Sequence, residues 1–327
     1  MLAFCPFQPW FGWIFLPLFL LPHIPMFQPL TGLYEPSAIQ QLEDGRFLVV
    51  EDEKNHPFSL VTVSAAGGVS SRPLLPPEQE VGDAVWQLDD LEALTRDAAG
   101  YVYALTSHSR TGAGEEKKSR DKLVRFRIAH ERMADPMLAT GLKPALVATH
   151  PLLAAAAEVR DVKTQGGLNI EALEISADGR QLLVGLRSPL LDHQAIIACV
   201  ENPAAIFEAG ERPRVAAALI TLNLGGNGIR ALSYIPALGG YLVISGPVER
   251  EQVQFQLWFW SGRPREPARR VSVAGLHGFE HAEGVSPAVI DGRQGIIIVS
   301  DDGSRKEERC AHFLLLELEQ LLIAPLR

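Results

Sequence analysis

The chain has 327 residues, 47% of them hydrophobic, enough for a sizeable core in one large all-β or α/β domain or in two ordinary ones. A formal net charge of -9 and an isoelectric point near 5.5 argue against the basic face that a nucleic-acid partner needs. Cys5, Cys199 and Cys310 are odd in number, far apart and without C-x-x-C spacing, which argues against a disulfide framework or a zinc site.

In chain order, residues 1–30 come first: MLAFCPFQPWFGWIFLPLFLLPHIPMFQPL, almost wholly apolar and without Lys or Arg. A secretory signal has a basic start and a small-residue cleavage site, and neither is visible. Pro17, Pro22 and Pro25 interrupt the roughly twenty apolar residues that a membrane span requires. The segment reads as an apolar arm packed on the domain or as translated sequence upstream of the true start. An atypical export or anchor segment is the third reading. Membrane association is therefore disfavoured, a cytoplasmic location slightly favoured, and the folded domain expected over 31–327.

From Tyr34 onward one phrase recurs. It stands at YEPSAIQQLEDGRFLVVEDE (Tyr34 to Glu53), DLEALTRDAAGYVYALTSHSR (Asp90 to Arg110) and GLNIEALEISADGRQLLVGLRSP (Gly167 to Pro189). It returns at GIRALSYIPALGGYLVISGPVE (Gly228 to Glu249) and HAEGVSPAVIDGRQGIIIVSDDG (His281 to Gly303). Each copy has a polar head, a short apolar stretch, a Gly-containing turn, a strand-like run and a polar exit. Asp44-Gly45, Asp178-Gly179 and Asp291-Gly292 are hairpin punctuation, because Gly tolerates the positive φ of such turns. The heads of the five copies are Glu35, Glu92, Glu171, Arg230 and Glu283, separated by 57, 79, 59 and 53 residues.

Further strand candidates, such as FSLVTVSA, KLVRFRI, FQLWFWSG and HFLLLELEQLL, lie between the copies. Helical periodicity is scarce, HPLLAAAAEVRD (His150 to Asp161) being its clearest instance. A hairpin plus one or two outer strands, repeated about every fifty residues, is a propeller blade. The expectation is a single all-β fold: a β-propeller of five blades, or six if the 79-residue gap hides a degenerate one. Radial closure then puts the strand heads around a central channel.

The phrases YEPSA, TSHSRTGAGEEKKSRDKLVRFR and GLNIEALEISADGRQLLVGLRSPL resemble the bacterial domain-of-unknown-function family 3616, over about Tyr34 to Leu316. More distantly, the D-[LI]-E-[AG]-L phrase is similar to the esterase-like phytase domain family. The resemblance implies a β-propeller and carries no established reaction. Calcium-dependent phosphate-ester hydrolysis in propeller phytases is the nearest chemistry by fold, and fold alone is a weak warrant for function.

The heads Glu35, Glu92, Glu171, Arg230 and Glu283, with the exits Asp52, His108, Arg110, Arg187, Asp301 and Asp302, form the candidate set. Carboxylates at Glu35, Glu92, Glu171, Glu283, Asp52 and Asp301 could hold a hard cation, with calcium the candidate cofactor. A calcium-assisted hydrolase of phosphate or carboxylic esters in the channel mouth would use that metal to activate water. The alternative is a non-catalytic scaffold in which Arg187, Arg230 and Arg110, with His108 and the glutamates beside them, bind a small anionic ligand or a protein partner. Crowded carboxylates need neutralising in either case: at about 4 Å and an effective dielectric near 20, each like pair costs roughly 4 kcal/mol. Catalytic residues are not assigned, since no G-x-S-x-G elbow or phosphate loop is present.

Overall fold

Each copy of the phrase folds into the inner hairpin of a sheet, with the Asp-Gly or Gly-Gly element at its turn. Gly45, Gly179 and Gly292 take φ of 85°, 73° and 78°, the left-handed region that such turns demand. The computed structural model describes residues 25–51, 57–78, 87–249, 254–279 and 281–326. Within them the strands form five antiparallel sheets, each the blade of one β-propeller.

Blade one comprises Pro36–Gln41, Phe47–Glu51, Phe58–Val63 and Val69–Pro73. Blade two comprises Leu91–Arg96, Val102–Thr106, Leu123–Ala129 and Arg132–Ala139. Blade three comprises Asn169–Ile175, Leu182–Ser188, Ala195–Val200 and Ile220–Leu222. Blade four runs through Gly228–Ile235, Gly240–Gly246, Gln256–Trp260 and Arg269–Val273. Blade five is Ala282–Ile290, Arg293–Ser300 and His312–Glu317. Each inner strand touches the inner strand of the next blade, and blade five meets blade one, so the ring closes.

Both chain ends complete blades. Gln28–Pro29 pairs with His312–Glu317 as the outer strand of blade five, and Leu321–Ile323 adds a fifth strand to blade four. The closing strand Gln28–Pro29 thus lies within residues 1–30, which the sequence sets apart from the propeller. Residues 1–24 lie outside the described residues.

Burial follows from this geometry. The apolar residues fall into five clusters, one at each interface between neighbouring blades. Trp260, 1% exposed, packs with Tyr241 between blades three and four, while Phe255 and Phe259 pack between blades four and five. The long gap between the second and third heads holds no sixth blade. It contains the outer hairpin of blade two and three helices, α1 (Leu142–Thr149), α2 (Pro151–Glu158) and α3 (Val162–Gln165). Helix α2 starts where the sequence predicts one: His150 caps it by accepting from the Leu152 N–H at 3.1 Å, with Pro151 in the first turn. Among the described residues no helix is long and apolar enough to cross a membrane.

Candidate functional site

Every inner strand slips register near its head, leaving one residue outside the ladder. The extra residues are Ser37, Glu92, Glu171, Arg230 and Glu283. A bulge re-aims the side chain that it frees, and here four of the five converge on one channel mouth. The residue after each bulge is small: Ala38, Ala93, Ala172, Ala231 and Gly284. Crowding explains this, since a Cβ on Gly284 would lie 3.1 Å from Ala38 Cα and 2.7 Å from Val299 Cγ2. In blade one the head is therefore Ser37, two residues beyond Glu35, which precedes the strand and is exposed.

At the centre of the mouth Arg230 is held between two glutamates. Its Nη1 lies 2.7 Å from Glu171 Oε2, and its Nη2 donates to Glu283 Oε1. Arg187 Nη1 reaches the other Glu171 oxygen at 3.1 Å, and Asn169 Nδ2 donates to that same oxygen at 2.8 Å. Arg187 Nε donates to the Pro247 carbonyl at 3.0 Å. Glu171, Arg230 and Glu283 are 5%, 8% and 8% exposed, so the network is largely out of water. A guanidinium with its two carboxylates is the arrangement that makes such burial tolerable.

Glu92 joins the cluster without a partner. Half-buried, it accepts no hydrogen bond from the described residues. Burial first, then Asp90, Glu171 and Glu283, raise its carboxyl well above the ordinary range, against the pull of Arg230. Glu283 is pushed up to about 8 by burial, with Arg230 opposing and Glu171 adding. Burial works to lower the Arg230 guanidinium, but Glu171, Glu283 and Glu92 together hold it above its usual value. Asp301, on the rim, is raised to about 6 by crowding out of solvent and then by Glu35. Glu35 thus acts on the mouth from its edge.

Other predicted residues are engaged elsewhere. His108, 2% exposed, turns its ring to the Thr106 carbonyl at 2.7 Å and to Asp121 Oδ1 at 3.0 Å. The arginine exit of the same blade, Arg110, donates to the Ala157 carbonyl at the end of α2 at 3.0 Å and pairs with Glu116 at 3.3 Å. Asp302 holds His312 Nδ1 at 2.7 Å. Asp52 lies outside the described residues.

A second polar layer, absent from the sequence reading, lies three residues along each strand: Gln40, Thr95, Glu174, Ser233 and Ser286. It stitches neighbouring blades. Thr95 Oγ1 accepts the Ile175 N–H at 3.1 Å and donates to Glu174 Oε1 at 3.0 Å, while Ser286 Oγ accepts the Gln41 N–H at 3.0 Å. Burial raises Glu174 to about 8, although Thr95, the Tyr234 N–H and Ser233 all bond to it. Counting three residues on from each head would have found this layer.

The residues expected to hold calcium do not form an oxygen cage as they stand. Both Glu171 oxygens face guanidinium groups, and Arg230 sits between Glu171 and Glu283 where a cation would. Among the described residues no three His, Cys, Asp or Glu side chains are grouped to hold a metal.

No family model matches the chain, and no curated protein matches its sequence. Solved structures do match. One is a putative oxidoreductase (glucose dehydrogenase) from Thermus thermophilus, 17% identical, with a TM-score of 0.45 over 89% of this chain and 100% of that one. Another is the PQQ-bound aldose sugar dehydrogenase of Streptomyces coelicolor, 14% identical, with a TM-score of 0.41 over 89% and 98% of the two chains. A Trypanosoma rangeli sialidase mutant matches at 8% identity and a TM-score of 0.40, over 88% of this chain and 55% of that one.

Proposed function

We propose that the protein is a ligand-binding propeller whose channel mouth receives a small organic cation. The observation that carries this reading is the imbalance around Glu92. Among the described residues Glu35, Asp90, Glu92, Glu171, Glu283 and Asp301 are linked in one field, opposed by Arg120, Arg187, Arg230 and His281. All three arginines are already paired to carboxylates or carbonyls, and the Arg230 Nε that lacks a hydrogen-bond partner is buried. Glu92 by contrast keeps an unpartnered carboxyl, and Asn169 Oδ1 and Ser300 Oγ are buried at the mouth without hydrogen-bond partners. An ammonium or guanidinium ligand supplies both the missing charge and the missing donors.

The engaged arginines and the guanidinium between Glu171 and Glu283 favour this reading over binding of a small anion and over calcium-assisted ester hydrolysis. The resemblance to domain-of-unknown-function family 3616 brings no reaction with it. The test is a binding panel read by calorimetry: methylguanidinium, calcium and inorganic phosphate, on wild type and Glu92→Gln. The proposal expects methylguanidinium to bind wild type and to weaken at least tenfold on the variant. Phosphate binding in its place would overturn it in favour of an anion site. Calcium binding with chelator-sensitive hydrolysis of a nitrophenyl ester would overturn it in favour of the hydrolase.

A further inference from the structure

A second site lies beside the mouth, on the same face. The turns that leave the second strands of blades three and four, with helix α2, line an open cleft of about 670 Å³. One wall is α2 and its exit, through Leu152 and Val159; the other is Pro189, Leu190 and Val248. Pro247 also lines it, while its carbonyl anchors Arg187 of the mouth. These residues form an apolar body of the size that small ligands fill.

The polar groups of the cleft are Gln165, His193, Asn227 and Glu249. Asn227 lines it and is 1% exposed. Its Nδ2 donates to Ser245 Oγ at 3.4 Å and to the Gln254 carbonyl at 3.5 Å, while its Oδ1 is buried with no partner. Among the described residues Glu249 is the one fixed charge that lines the cleft, with His193 the other titratable group and Gln165 a neutral amide. The cleft therefore presents one carboxylate beside the polar groups of Gln165, His193 and Asn227, and hydrocarbon along its walls. That pattern favours a ligand with positive charge on an apolar body over an anion of the same body.

We propose that this cleft binds an amphipathic primary ammonium, its head toward Glu249 and Asn227 and its short alkyl or aryl body against Leu152, Val159, Pro189 and Leu190. This site is separate from the channel mouth and does not depend on Glu92.

The experiment is a calorimetric series with methylammonium, n-butylammonium and n-hexylammonium, and with hexanoate as the anion of the same body. Affinity rises roughly fourfold for each methylene that enters the cleft, and hexanoate binds at least tenfold more weakly than hexylammonium. Glu249→Gln weakens hexylammonium about tenfold. Ala155→Trp, at an exposed position of α2 that lines the cleft, abolishes its binding while leaving the melting temperature within a few degrees of wild type. Glu92→Gln leaves the gain in affinity with each added methylene, which the cleft supplies, unchanged. Equal binding of hexanoate, or wild-type affinity in either cleft variant, overturns the proposal. If Glu92→Gln is the change that removes hexylammonium, the amine sits in the mouth: the cleft proposal then fails while the reading of the mouth stands.

Discussion

Two rings of side chains occupy equivalent positions on the same five strands, three residues apart, and they behave in opposite ways. The ring of Gln40, Thr95, Glu174, Ser233 and Ser286 is satisfied by its neighbours: hydroxyls accept backbone N–H groups of the next blade, and its single carboxyl sits near 8, hence largely protonated at neutral pH. The bulged ring of Ser37, Glu92, Glu171, Arg230 and Glu283 is charged, and its members satisfy each other incompletely. One backbone geometry therefore serves two ends. Where the ladder is regular the polar layer braces the ring, and where it bulges the layer is left with chemistry to offer.

The sharpest way to break this contrast is to remove Arg230. Arg230→Met strands Glu171 and Glu283 in a buried site, and breaking such a pair costs about 3–5 kcal/mol. Denaturant unfolding should show a loss of that order, largely recovered when Glu171→Gln and Glu283→Gln are added. A loss below about 1 kcal/mol would mean that the mouth is more solvated than its burial implies.

Glu171→Gln is milder, since the amide still accepts hydrogen bonds while losing charge. The expected loss is about 1.5–3 kcal/mol, the contribution of a hydrogen bond to a charged group. It should be equal with and without calcium, because the partners of Glu171 are Arg187, Arg230 and Asn169. A loss of calcium-dependent stabilisation in this variant alone would make the mouth a metal site.

The pH dependence separates the rings from the surface. Glu174 has a folded value raised to about 8 from an ordinary 4.5, so the folded state binds more protons than the unfolded one between those limits. Its contribution is fully present below about pH 4.5 and is lost as pH rises through about 8. The melting temperature should therefore fall by roughly a few degrees between pH 5 and 8.5, and Glu174→Gln should flatten that slope. A melting temperature that rises over the same interval contradicts the assignment.

The smallest effect belongs to the bracing ring. Ser286→Ala removes the acceptor of the Gln41 N–H and should cost about 1 kcal/mol, the ordinary contribution of a neutral hydrogen bond. No ligand affinity should change with it.

Much of this could be read from the residues. The Asp-Gly turns and the recurrent phrase place the inner hairpins, and four of the five heads are correct because Glu92, Glu171, Arg230 and Glu283 are each followed by Ala or Gly and then an aliphatic residue. The same rule applied to blade one selects Ser37-Ala38-Ile39; matching by charge selected Glu35 instead. His108 was placed at the mouth because it ends a strand, yet its backbone adopts φ of 57°, a local reversal that no periodicity announces, and the ring goes to Asp121. Gln28–Pro29 and Leu321–Ile323 are strands of two and three residues, too short to carry a period of their own; they exist because outer edges of blades five and four await pairing. The ion network is legible only in three dimensions, since Arg187, Arg230 and Glu283 come from three different blades.

The central claim is that the mouth takes a cation and that Glu92 gives up its proton to receive it. Its most direct test is titration of methylguanidinium into the protein at pH 7 in two buffers of different ionisation enthalpy. The account predicts net proton release on binding in wild type, less of it in Glu92→Gln, and an affinity that rises with pH. Binding with no proton release, or equal release from the variant, would contradict it.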